Sequence, residues 1–306
     1  PEFTQQAHLR ATSFYRSQKV SPSHQSIDDY ASILEWHHHA VQAGDATSSY
    51  TALFSTGLKD QLMAWNEYSL LADLTEATLS VTSREHQELS NLEWVTIQQT
   101  LGIANFLLGK NEKSIVCLKS AIDFIPNGEY EELKIRLFVD LAESHSANRD
   151  FISAIQIYEQ SLGPLSAMQN EGLLAKALQV KGIINREQGN MEQAVTDLED
   201  SLKLFERLKD QTGIAYVTGE LGIVYYYQNQ FDKAIANYQR ALSLCEARHD
   251  VRGAMIGHFN VGDILLQEEQ FELAEKELQL AWEIARKRKL VIAEIRAGLY
   301  LLETKI

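Results

Sequence analysis

Five copies of one forty-residue pattern, running from about Val95 to Lys289, constrain the fold of this chain more than any other feature. The pairs Leu101-Gly102, Leu141-Ala142, Lys181-Gly182, Leu221-Gly222 and Val261-Gly262 recur every forty positions without a slip. Twelve residues beyond each small residue stand Ser114, Ala154, Ala194, Ala234 and Ala274. Leu118, Tyr158, Leu198, Tyr238 and Leu278 follow four further on, then Ala121, Ser161, Ser201, Ala241 and Ala281 three beyond those. The last three marks fall at i, i+4 and i+7, one face of a helix, and the first small residue belongs to a separate helix before it. Each copy is therefore expected to be an antiparallel helix pair, with small side chains where the helices cross and Leu or Tyr filling the gap beside them. The turn between the two helices is placed at Gly109-Lys-Asn, Asn148-Arg-Asp, Gly189-Asn, Asn229-Gln and Glu269-Gln, mostly residues that tolerate left-handed backbone.

This pattern resembles the tetratricopeptide repeat, whose signature includes Leu-Gly, then Ala-x3-Phe-x2-Ala, then Pro. The first copy carries the full tail, Ser114, Leu118, Ala121 and Pro126, whereas the later copies lack that proline. Repeats of forty residues exceed the common length of about thirty-four. The additional residues, such as Lys209-Asp-Gln-Thr-Gly-Ile and His249-Asp-Val-Arg-Gly-Ala, read as a longer helix end and a polar turn. In that longer form the chain is similar to the repeats of kinesin light chains, polarity scaffolds, peptide-sensing bacterial regulators and the sensor arms of signal-transduction ATPases. The resemblance implies an all-α fold, a right-handed α-solenoid of antiparallel helix pairs with an irregular helical cap at its N-terminal end.

The same resemblance places the first helix of each pair on a concave groove and the second on the outer wall. By register the partner-binding positions are Arg136, Lys176, Gln179, Arg186, Tyr216, Tyr226, His258, Asn260 and Asp263, with Thr96, Gln99, Val139, Tyr227 and Phe259 on the same face. Arg136, Lys176 and Arg186 would set positive charge on an acidic protein and suit an acidic peptide segment or a carboxylate. Tyr216, Tyr226 and Tyr227 would add rigid aromatic area. The competing structural reading makes these residues solvated helix faces or packing within a repeat.

Residues 1–3, Pro-Glu-Phe, read as a cloning scar, from which a natural chain extending further upstream is expected. Residues 4–90 fall outside the register and are expected to form the helical cap, with a break at Ser17, Ser21, Pro22 and Ser23. Ser26 or Asp28 would cap a helix carrying Ile27, Tyr30, Ile33, Leu34, His37 and His38, ending at Ala43-Gly44-Asp45. The stretch His38-His-Ala-Val-Gln-Ala-Gly-Asp45 resembles the helical segment that joins the ATPase part of signal-transduction ATPases to their repeat arm. Repeats follow at about 95–134, 135–174, 175–214, 215–254 and 255–290. Residues 291–306 begin another first helix, which caps the stack or opens a truncated sixth repeat.

Composition narrows the functions that remain. A formal charge of −14 argues against a general nucleic-acid surface, which needs a net basic footprint. The one basic run, Arg286-Lys-Arg-Lys289, suits a helix C-terminus. Two cysteines, Cys117 and Cys245, form no disulfide framework and read as buried, reduced core residues of a cytoplasmic protein. No apolar run is long enough to span a membrane. Three consecutive histidines, 37 to 39, point about 100° apart on a helix and cannot converge on one metal ion; His38 is expected to be the core member. No phosphate loop, nucleophile elbow, Cys-x2-Cys pair or H-E-x-x-H helix occurs, so no cofactor and no catalytic residue is expected. The function expected is a non-enzymatic module that binds a protein or peptide, as the sensing arm of a larger regulator. The alternatives are a free-standing adaptor and a small-molecule effector sensor with a pocket lined by Trp36, Trp65 and Trp94.

Overall fold

The computed structural model describes residues 2–18, 26–82, 89–126, 130–167, 170–288 and 290–304; for 2–3 and 162–167 only the backbone is described. Among the described residues the chain is helical throughout, with sixteen α-helices, one short 3₁₀ turn and no strand. It divides into two compact units, Pro1–Asp150 and Phe151–Ile306.

The first unit opens with α1 (Glu2–Arg16), α2 (Ala31–Ala43), α3 (Ala46–Phe54), α4 (Leu58–Ala64) and α5 (Tyr68–Val81), followed by α6 (Asn91–Leu107), α7 (Asn111–Asp123) and α8 (Glu131–Ala147). Gly44 at φ +74° ends α2, and the Asp45 carboxylate accepts the Ser48 N–H at 2.9 Å to start α3, as the Ala43-Gly44-Asp45 sequence implies. Tyr30, Ile33, Trp36, Leu53, Leu58, Leu62 and Leu71 form one core that continues into Leu101, Ala104 and Cys117 of α6 and α7. The cap therefore shares its apolar interior with the first repeat. Of the expected break, Ser21, Pro22 and Ser23 lie outside the described residues.

One assignment in α2 is corrected. His37, 2% exposed, is the core histidine, and His38 is exposed. The buried residues Ile33, Trp36, Ala40 and Ala43 of α2 fall at i, i+3, i+7 and i+10, which puts His37 at i+4 on the same face and His38 about 100° further round. His37 Nε2 lies 2.8 Å from Thr78 Oγ1 of α5. Burial lowers its pKa from 6.5 to about 4, opposed by a hydrogen bond with the Leu74 backbone and helped by the charge of His38.

The second unit holds α9 (Phe151–Ala167), α10 (Glu171–Glu187), α11 (Met191–Leu208), α12 (Gln211–Tyr227), α13 (Phe231–Ala247), α14 (Val251–Gln267), α15 (Phe271–Lys287) and α16 (Val291–Glu303). From α6 onward a helix begins every twenty residues, at 91, 111, 131 and so on to 291. The turn inside each pair is built on a left-handed residue at Gly109, Arg149, Gly189, Asn229 and Glu269, again forty apart. The turn between pairs repeats the device at Lys209 and His249, and Asn170, Asp210 and Asp250 cap the helices that follow.

The small-residue marks explain the pairing. A Cβ built on Gly102, Gly182, Gly222 or Gly262 would come within 3 Å of the side chain of Leu118, Leu198, Tyr238 or Leu278 respectively. The large mark of each of these repeats thus lies on the glycine of the helix before it. Ala234 and Ala274 are fully buried at the same crossings. Cys117 and Cys245 are buried free thiols, and burial pushes each pKa up to about 11.

Two outcomes are expected. Gly222→Ala and Ala234→Leu should each lower stability by about 1–3 kcal/mol through overpacking, read as a shifted urea midpoint. Unchanged midpoints would mean that the crossing is not tightly packed. His37 favours its neutral form when folded, so its contribution is whole above pH 6.5 and is lost as pH falls towards 4. Relative to His37→Gln, the parent should lose on the order of 3 kcal/mol across that window; parallel stability curves for the two proteins would refute the assignment.

Candidate functional site

The first helices of the repeats in the second unit, α10, α12 and α14, lie side by side with α16 and share one face. Contacts about forty positions apart stitch neighbours together. Arg186 of α10 pairs with Glu220 of α12 at 3.5 Å, and Gln267 of α14 donates to the Tyr226 hydroxyl of α12. Phe259 of α14 meets Tyr300 of α16 edge-on, with centroids 5.0 Å apart, and the Arg296 guanidinium lies 4.4 Å above the Phe259 ring.

On this face the repeat register aligns Lys176, Gln179, Ile183 and Arg186 of α10 with Tyr216, Gly219, Ile223 and Tyr226 of α12 and with Ile256, Phe259, Asp263 and Leu266 of α14. Large apolar groups remain uncovered here: Tyr216 is 43% exposed, Tyr227 61% and Ile256 45%. Between them Gly219 leaves open space, for a Cβ added there would meet no atom within 4 Å. Ile256 and Gly219 were not singled out by sequence. Their signal was available in the forty-residue register, which equates Ile256 with Tyr216 and Lys176.

The remaining expected positions are distributed differently. Arg136 belongs to the first unit, where it is exposed and paired with Glu132 one turn away at 3.2 Å. Arg186 is largely enclosed, its side chain 13% exposed, and holds Glu187 at 2.8 Å as well as Glu220. Its charge is thereby balanced within the protein. Lys176, Asn260 and Asp263 are half-buried. Burial raises the Asp263 pKa, opposed by a hydrogen bond from Gln267 and by the charge of Arg296. Gln179 and His258 are buried. His258 turns towards the second helices, with Nδ1 2.7 Å from Glu277 of α15 and Nε2 3.6 Å from Glu246 of α13. Of the other positions, Gln99 donates to Asp140 at 3.3 Å within the first unit, and Val139 is buried.

One buried carboxylate also escaped the sequence reading. Asp197 of α11 receives Lys181 Nζ at 2.7 Å, Asn185 Nδ2 at 2.7 Å and Gln193 Nε2 at 3.1 Å. Three donors satisfy it fully, which marks a tie between α10 and α11 rather than a reactive acid. Among the described residues no group of three or more His, Cys, Asp or Glu side chains is arranged to hold a metal ion. No helix among them is long and apolar enough to cross a membrane.

Residues 173–247, which span α10 to α13, match the family model described as tetratricopeptide repeat. The repeats within these residues are of the tetratricopeptide type. No curated protein matches the chain. Among solved structures, the chain is similar to a signal transduction ATPase with numerous domains, bearing a tetratricopeptide repeat sensor, from Pyrococcus horikoshii. That likeness has a TM-score of 0.61 at 15% identity and covers 98% of this chain but only 43% of that protein. It is also similar to the Rap conjugation gene regulator of the plasmid pLS20 in complex with the Phr* peptide, with a TM-score of 0.64 at 16% identity, covering 90% of this chain and 80% of that one. A third likeness is to Bacillus thuringiensis PlcR in complex with the peptide PapR7 and DNA, with a TM-score of 0.54 at 15% identity, covering 82% and 98%. At such identities the likeness is one of fold, an all-α solenoid of tetratricopeptide repeats.

Proposed function

We propose that this chain is a non-enzymatic binding module that takes a peptide segment of a partner on the shared face of α10, α12 and α14. The observation that carries this reading is the uncovered apolar stripe of Tyr216, Tyr227 and Ile256, set beside the open space over Gly219. Rigid aromatic groups next to a vacancy suit an apolar anchor residue, because such anchors supply most of the energy of small interfaces. The solved relatives that hold the Phr* and PapR7 peptides on the same fold support a peptide as the ligand class. An acidic ligand has less support, since Arg186 is already balanced by two carboxylates and Arg136, in the first unit, is paired with Glu132.

Within this class we favour the cytoplasmic sensing arm of a larger regulatory protein, on the likeness to the ATPase sensor and on the Gln42-Ala43-Gly44-Asp45 segment before the repeats. A natural reading frame with an ATPase domain upstream of these residues would support the arm, and one without it would favour a free-standing adaptor. The small-molecule alternative draws no support from the tryptophans. Trp36 and Trp65 pack in the core of the first unit, and Trp94 lies against Phe124.

Peptides selected from a displayed random library on the immobilised chain should share an apolar anchor. Tyr216→Ala and Ile256→Asp should each weaken their binding by roughly tenfold to thirtyfold, the range of about 1.4–2 kcal/mol expected for an anchor contact. Circular dichroism should stay unchanged. Selected peptides that bind both variants as well as the parent would place the ligand elsewhere. Charge reversal at Arg186 is not a suitable probe, because it would set a third carboxylate against Glu187 and Glu220 and disturb the fold.

A further inference from the structure

Helix α16 buries only one side. Ala297 is enclosed, and it packs with Met255, Ala281 and Ala285 of α14 and α15. The other side presents Ile292, Ile295, Leu299 and Leu302 at i, i+3, i+7 and i+10, with Val291 beside them. All five are more than half exposed, and Ile292 reaches 85%. The register shows what such a surface suits. Forty positions earlier, Met255 and Gly262 stand where Ile295 and Leu302 stand here, and both are buried against the helices that follow α14. The outer side of α16 thus has the form of a first-helix face ready for an antiparallel helix.

Charge decides which helix suits it. Arg286, Lys287 and Arg288, all exposed, stand at the corner leading into α16, and Glu303, also exposed, closes its other end. A parallel neighbour of the same kind would set like charges together. An antiparallel copy sets each basic corner beside the partner's Glu303 while the apolar stripes meet along a two-fold axis. We propose that α16 is a self-association surface, pairing antiparallel with α16 of a second copy of this chain. Eleven residues of stripe span about 16 Å. One such helix pair covers less than the roughly 800 Å² per partner of a standard interface, so the dimer is weak and forms with rising concentration.

Sedimentation equilibrium of the whole chain, from the nanomolar to the high micromolar range, tests this. The expected result is a mass rising from 34.6 kDa towards twice that value. Ile292→Glu and Ile295→Glu should each raise the dissociation constant at least tenfold with unchanged helicity. Glu303→Lys should weaken pairing, and mixing it with a Lys287→Glu, Arg288→Glu double variant should restore it as a mixed dimer. A chain that stays monomeric throughout, or variants that dimerise like the parent, would overturn the proposal. Weakening by both charge variants without recovery on mixing would overturn the antiparallel arrangement.

Discussion

The contact between a glycine in one helix and a large side chain in the next is what the rest of the molecule depends on. Gly102 on Leu118, Gly182 on Leu198, Gly222 on Tyr238 and Gly262 on Leu278 let the two helices of a pair approach within the reach of a missing Cβ. Close approach brings flanking residues such as Ala194, Ala234 and Ala274 to full burial, and those layers build the core. Once the pair is locked, the polar edges of the first helices are carried into line with one another. The shared face of α10, α12 and α14 is thus a by-product of packing inside each pair. Its uncovered aromatic groups cost little, because solenoid repeats bury their cores without them.

Much of this architecture was legible because each repeat states its packing in a few small and large residues at fixed intervals. The turns were legible for the same reason, down to Asn229 and Gly189 in left-handed backbone. Arg149 and Glu269 hold that backbone too, although nothing in their chemistry favours it. There the register, and not the residue type, carried the information.

The face itself was less legible. A helical register gives the direction of a side chain but not what meets it across forty residues of sequence. Arg186 looked like an available cation until Glu220 was brought beside it, and His258 looked like a groove residue until Glu246 and Glu277 closed around it. Asp197 belongs to no motif, and only the packing of α10 on α11 brings three donors to it. In the cap, the core histidine was legible after all, since Ile33, Trp36, Ala40 and Ala43 set a face that holds His37 and leaves out His38.

The twenty-residue pitch of helix starts from Asn91 to Val291 also limits how such a chain can change length. Losing one residue inside α12 would turn the remainder of that helix by about 100°, lifting Gly222 off Tyr238 and swinging its aromatic groups away from the face. Short insertions are therefore tolerable only at the turns, where no packing phase is carried. Larger changes must come as whole helix pairs, so that a molecule of this kind lengthens by duplication and tunes its recognition by exchanging side chains on a frame of constant pitch.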